Sequence, residues 1–393
     1  MLTPRTLLPV LALVLAGCAG DAVQPATPSL EDSRPAADGR ETASGHWIEL
    51  TRAVLGRRDP SPLGTVRTFA LVSVAQHNAV VAAAGTRGAK PSEAGAAAGA
   101  AAAVLRALYP AEQGAVAAQL AADSAYFNLG SDGDFGAGVR AGERAAAAVL
   151  AYAATDGSQA VWTGTVPVGP GFWRNGPPPA QPLGPLWGGV RPWNLASGDQ
   201  FRPAPPPAFG SPEFAAALAE VRHYTDNRTP AQLQVAQFWQ GGSGPGGPMG
   251  HFGAVAGGLA EAHRLGERAS ARMYALLYTA MMDASIGCWD AKFAYWYIRP
   301  HQADPAITTP VGRPPFPAYP SAHSCFSASA AGVLGELFPS ARRDLHAQVE
   351  EAGVARLYAG LHFRFDVDAG RELGFAVARA TLASASHRAI PLD

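Results

Sequence analysis

Three short stretches in the C-terminal half concentrate side chains that can bind an anion and move protons. Lys292 and Arg299 stand seven residues apart in KFAYWYIRP, and Ser321 and His323 close the run PPFPAYPSAHS. The third stretch, RLYAGLHFRFD, holds Arg356, His362 and, four residues later, Asp366. Together they offer three cations, a serine hydroxyl and two histidines, one with a carboxylate near it. That set suits a tetrahedral oxyanion: cations neutralise it and N–H groups bind its oxygens. One imidazole bonds the central atom and the other transfers protons. Each stretch alone has a plainer reading. Lys292 and Arg299 could be solvated bases near a helix end, Ser321 an ordinary cap beside a surface histidine, and His362–Asp366 a structural pair.

Positioning these groups needs particular local structure. The prolines before Tyr319 forbid a helix there, whereas SAHSCFSASAAGVLGELF is small and apolar with no breaker before Pro339. A helix beginning at Ser321 is therefore predicted. Its first N–H groups, with Ser321, Ala322 and His323, form an anion seat. Glu267 to Arg299 reads as one long helix or a closely joined pair. In one helix, Lys292 and Arg299 share a face roughly 10 Å apart along the axis. The large apolar residues between them suit a buried helix, where cations need an anion. The spacing from Arg356 to His362 needs an irregular turn, for which Gly360 is suited.

The three stretches, in this order, resemble the signature shared by vanadium-dependent haloperoxidases and the type 2 phosphatidic acid phosphatase (PAP2) superfamily. The resembling residues are Lys292-x6-Arg299-Pro300, Pro320-Ser321-x-His323 and Arg356-x5-His362-x3-Asp366, spanning about 75 residues. The resemblance implies that Lys292, Arg299, Arg356, Ser321 and the Ala322 N–H hold the oxygens of vanadate or phosphate. It makes His362 the ligand of vanadium, or the nucleophile on phosphorus, and His323 the general acid–base. Ala322 stands where the family usually has glycine, and Ala355 where it usually has serine. Trp289 and Phe316 are similar to the pair that forms the apolar halide pocket of fungal chloroperoxidases, which leans the reading towards peroxidase. The expected activity is oxidation of halide by hydrogen peroxide with vanadate as cofactor. The alternatives are a periplasmic acid phosphatase acting on phosphomonoesters through a phosphohistidine, and a non-catalytic anion-binding lipoprotein.

The rest of the 393 residues reads as a large helical scaffold, 48% hydrophobic. With 30 basic and 31 acidic residues and no dense run of either, nothing marks a nucleic-acid surface or a polybasic membrane patch. Residues 1–17 read as an export signal ending in Leu15-Ala16-Gly17-Cys18, which resembles a lipoprotein lipidation site. Residues 18–45 read as a disordered tether. Residues 46–393 form one expected domain, exported and held at the outer membrane only through the lipid on Cys18. Apolar spacing from Trp47 to Thr155 and again from Pro212 onward is helical throughout, so the fold class is all-α. Gly157–Ser211 is a long Pro/Gly-rich loop with four tryptophans, read as wrapping over the bundle. Gly241–Gly250 reads as a flexible joint. Cys288 and Cys325 lie beside the first two stretches and are either a disulfide or two buried thiols.

Overall fold

The computed structural model describes residues 41–58, 60–86, 90–128, 133–176, 180–241, 247–384 and 389–392. Among these residues there are thirteen α-helices and no strand longer than an isolated bridge. The first half comprises α1 (Ala43–Arg58), α2 (Pro62–Ala84), α3 (Glu93–Leu108), α4 (Gln113–Phe127) and α5 (Phe135–Ala154). After a long connection come α6 (Pro212–Asp226), α7 (Pro230–Gly241), α8 (Pro248–Ala262) and α9 (Glu267–Tyr295). The site-bearing part ends the chain with α10 (Pro300–Ala303), α11 (Ala322–Leu337), α12 (Arg342–Tyr358) and α13 (Arg364–Ser384). No helix among the described residues is long and apolar enough to cross a membrane.

Helix α9 is the central post, buried almost continuously from Ser270 to Trp289. Around it helices approach at backbone contact where glycines recur every four residues. A Cβ on Gly95 or Gly99 of α3 would lie 2.4 or 2.3 Å from carbonyl oxygens of α5. The same device joins the two motif-bearing helices α11 and α13. A Cβ on Gly370 would lie 2.5 Å from the Ser321 carbonyl, and one on Gly374 2.5 Å from that of Cys325. Only glycine allows this approach, and it brings the start of α11 against the start of α13.

Several expected boundaries move. Helix α1 starts at Ala43, inside the stretch read as tether, because the half-buried Glu267 carboxylate accepts the Ala43 and Ser44 N–H groups at 2.7 and 2.9 Å. Helix α8 starts at Pro248, inside the expected joint, with Gly247 before it at φ +62°. The largest correction is at α9, which ends at Tyr295 with Trp296 left-handed at φ 50°. Arg299 is extended and precedes α10, so it shares no helix face with Lys292.

The long connection between α5 and α6 explains that break. The Trp173 N–H donates to the Trp296 carbonyl (2.7 Å) and the Ile298 N–H to that of Gly171 (2.9 Å). The Ile298 N–H, which a continued α9 would direct to the carbonyl four residues back, is thus spent on the loop, and Pro300 has no N–H to offer the Trp296 carbonyl. The Gln302 side chain pairs with the Arg174 backbone in both directions, which anchors the turn after Arg299. Farther along, Asp283 of α9 accepts the N–H groups of Trp193 (2.8 Å) and Asn194 (2.7 Å). The loop therefore does wrap the bundle, and it is held down by specific bonds.

Cys288 and Cys325 are both buried as free thiols, with Cys288 Sγ directed to the Pro320 carbonyl at 3.8 Å, so the bridge left open by the sequence is not formed. Cys18 and the signal segment lie outside the described residues.

Candidate active site

The start of α11 sets the frame. Ser321 caps it with Oγ toward the Ser324 N–H, while its own N–H donates to the Asp366 carbonyl at 2.8 Å. The N–H groups of Ala322 and His323, in the first turn, have no intrahelical acceptor. Lys292, in the last turn of α9, is fully buried below this turn. Its Nζ donates to the carbonyls of Pro317 (3.0 Å), Ala318 (2.8 Å) and Pro320 (2.5 Å). The proline-rich segment that cannot be helical thus turns its carbonyls inward onto the ammonium.

Arg299 lies on the other side of the same segment. It donates to the Phe316 carbonyl from Nε (3.1 Å) and to the Leu361 carbonyl from Nη1 (2.9 Å). Nη1 also lies 3.2 Å from His362 Nε2. Arg356, on α12, donates to the Ala236 carbonyl (3.0 Å) and the Gln240 side-chain oxygen (3.1 Å), and reaches His323 Nε2 at 3.0 Å. Its Nε is buried without a partner.

These three cations are almost completely buried, yet their acceptors are carbonyls, an amide and imidazoles, with no carboxylate among them. Burial pushes Lys292 down to about 8, Arg299 to about 10 and Arg356 to about 9. Holding three uncompensated charges away from water is costly unless an anion joins them. The charge of this cluster therefore fits a tetrahedral oxyanion such as vanadate or phosphate, and Arg356 Nε is a cationic donor left without a protein partner to meet it.

The two histidines differ in their surroundings. His362 lies just before α13, and its Nδ1 is 2.9 Å from Asp366 Oδ2, which also accepts the Phe363 N–H. The pair forms across the entry to the helix, with His362 before it and Asp366 in its first turn. A guanidinium cannot accept a hydrogen bond, so the Arg299 contact requires a lone pair on Nε2 and a proton on Nδ1. Burial pushes Asp366 up to about 7, and burial with the neighbouring cations holds His362 well below its ordinary value. His323, half-buried, has Nε2 between the Trp239 carbonyl (2.9 Å) and Arg356 Nη1 (3.0 Å). A protonated Nε2 is matched by the carbonyl and a bare one by the guanidinium. Either state finds a partner, which suits a proton carrier. Burial, then Arg356, lowers its pKa well below the ordinary value.

An apolar wall completes the site. The rings of Trp289 and Phe316 stand 4.9 Å apart, and the Trp289 indole donates to the Leu183 carbonyl at 3.0 Å. Lys292 Nζ and the Arg299 guanidinium carbon each lie 5.2 Å from the Phe316 ring centre. The structure thus gathers Lys292, Arg299, Ser321, Ala322, His323, Arg356, His362, Asp366, Trp289 and Phe316 in one place. It adds a wall the sequence did not reveal: Ala236, Trp239 and Gln240 of α7. Two of these act through carbonyls, which every residue carries, and only Gln240 has a side-chain signal that could have been weighed.

Comparison with other proteins agrees with the fold. Residues 272–389 match the model of the PAP2 superfamily. A bacterial vanadium-dependent iodoperoxidase superposes with a TM-score of 0.76 at 23% identity, covering 88% of this chain and 96% of that one. The protein has the vanadium haloperoxidase/PAP2 fold. A holo-type bacterial vanadium-dependent chloroperoxidase superposes less closely, with a TM-score of 0.66 at 14% identity over 82% of this chain and 91% of that one. No curated protein sequence matches significantly. Within this haloperoxidase/PAP2 fold, the matched segment holds every residue of the oxyanion seat, while α7 and the Trp173 loop lie before it.

Proposed function

We propose that the protein is a vanadate-dependent haloperoxidase that oxidises halide with hydrogen peroxide to hypohalous acid. The reading rests on three buried cations without a carboxylate partner, converging with two histidines beside an apolar ring pair. When bound, vanadate supplies the centre at which peroxide is activated toward halide. Lys292, Arg299 and Arg356 hold its oxygens with Ser321 and the first N–H groups of α11. His362 offers Nε2 to the metal, and Asp366 keeps that nitrogen deprotonated. An anion in the seat offsets the cations that depress His323, so its proton affinity rises and it can deliver and retrieve protons. Trp289 and Phe316 give a weakly hydrated halide a dry surface at the edge of the cationic seat.

Phosphomonoester hydrolysis is the second reading, favoured by the unprotonated Nε2 of His362. There, Nε2 attacks phosphorus, the P–O bond to the leaving group breaks, and His323 protonates the departing oxygen. Water then cleaves the phosphohistidine to release phosphate.

Purified protein with and without orthovanadate, assayed with peroxide and iodide, bromide or chloride and separately with p-nitrophenyl phosphate, decides between them. Vanadate-dependent halide oxidation is expected. Phosphate ester turnover inhibited by vanadate, with no halide oxidation, would reverse the order of the two readings. For location, we propose an exported lipoprotein anchored at the outer membrane through Cys18. Cys18→Ser should leave the protein unprocessed or release it from the membrane fraction, and unchanged mature mass and fractionation would reject this.

A further inference from the structure

We infer that Gln240 sets the charge of the oxyanion seat: it presents a neutral amide to Arg356 where a carboxylate would neutralise it. The inference rests on the oxyanion reading above. Helix α7 ends at the site, and its last turns supply acceptors to Arg356 and His323: the Ala236 carbonyl, the Trp239 carbonyl and the Gln240 Oε1. All three are uncharged. Gln240 is itself exposed, with its amide 3.1 Å from Arg356 Nη1 on one side. On the other side its Nε2 lies 4.0 Å from where a Cβ on Gly312 would be. It therefore spans the rim of the seat, between the buried guanidinium and the loop that leads to Phe316.

A carboxylate on α12 also faces α7, and the structure turns it away from the seat. Glu351 accepts the Trp239 indole N–H at 2.9 Å. The Trp239 ring is backed by His251 at 4.9 Å, and His251 is held in turn by Gln348 at 2.6 Å. Trp239 and Gln240, neighbours in sequence, thus act oppositely on the surrounding charge. One engages the nearby acid and the other satisfies Arg356 without cancelling it. The amide leaves the Arg356 charge available to the ligand, which favours tetrahedral oxyanions of higher negative charge. Gln240 is in this sense a positioning and specificity-determining residue, outside the matched PAP2 segment.

Binding of inorganic phosphate and of orthovanadate, measured by calorimetry at pH 8 and low salt, tests this in the wild type, Gln240→Glu and Gln240→Met. At that pH a carboxylate beside an arginine is ionised. Gln240→Glu should weaken both anions by about 10-fold, from the repulsion of one unit charge near the site at intermediate dielectric. Gln240→Met, which removes the hydrogen bond without adding charge, should change affinity by less than about 3-fold, the effect of one partly exposed neutral hydrogen bond. Thermal melts check that both variants fold. Binding by Gln240→Glu equal to the wild type overturns the inference, and so does an equal loss in both variants, which would make the residue a packing element. Absence of binding in the wild type itself would instead remove the oxyanion site, and with it this inference.

Discussion

Asp366 binds His362 Nδ1 at 2.9 Å, and this contact decides which face of the imidazole meets the ligand. With the Nδ1 proton directed to the carboxylate, the only lone pair of the ring is on Nε2, beside Arg299. Asp366 is fully buried and also accepts the Phe363 N–H, so it is itself immobilised.

His362→Ala should abolish both halide oxidation and phosphate ester hydrolysis, because each needs Nε2. Asp366→Asn should keep the fold and lower vanadate affinity by about 10- to 100-fold, the usual cost of losing an outer partner of a metal-binding histidine. Vanadate titration followed by residual activity and by equilibrium dialysis measures both. Wild-type affinity in Asp366→Asn would show that the carboxylate does not orient the ring.

Lys292 makes oxyanion binding pH-dependent. Burial lowers its pKa to about 8, so the ammonium is charged below that value and is lost as pH rises through it. Phosphate is already a dianion there, so its affinity should fall above about pH 8 by up to about 10-fold per pH unit. Bound anion shifts the fall upward, since it favours the charged amine. Lys292→Met should bind weakly with no such step. Calorimetric titrations between pH 7 and 10 would show it, and a flat wild-type profile would contradict the assignment.

The ring pair Trp289–Phe316 should govern halide, not oxyanion. Phe316→Leu keeps the backbone carbonyl that holds Arg299 and removes the ring between the two cations. Halide KM should rise roughly 10-fold, as for a reshaped apolar subsite, with vanadate affinity little changed. Steady-state kinetics with halide varied at fixed peroxide is the measurement. An unchanged halide KM with a collapsed vanadate affinity would assign Phe316 to the oxyanion seat.

Asp283 should matter to stability more than to chemistry. It anchors the loop by accepting two backbone N–H groups, so Asp283→Ala should cost about 1–3 kcal/mol at pH 5 by orphaning buried donors. Burial raises its pKa to about 7. Between about pH 4, the unfolded value, and that folded value, the folded state binds more protons than the unfolded state, so this group's contribution falls as pH rises. The stability gap between wild type and variant should therefore narrow from pH 5 to pH 8 in urea denaturation. A gap that widens would reverse the sign of the shift.

Much was legible from local chemistry. The all-α class followed from apolar spacing, and the α11 start from Pro320, Ser321 and the small apolar run after them. The three stretches named the oxyanion-binding side chains because their types are unusual together and their spacing is short-range. The break before Arg299 was not legible. Pro300 disfavours a helix through its predecessor, but the bonds that end α9 at Tyr295 come from Gly171 and Trp173, more than 120 residues away.

By itself the sequence determined which residues carry charge, hydroxyl and imidazole, and where helices must start or stop for lack of a backbone donor. These are properties of single residues and their immediate neighbours. Only the tertiary structure decided that Lys292 is held by the carbonyls of 317, 318 and 320, that Arg299 sits across Phe316, and that α7 closes the site on Arg356 and His323. Those contacts use backbone oxygens, identical at every position, and close approaches set by glycines such as Gly370 and Gly374. Their placement depends on how distant helices pack, which no local pattern encodes.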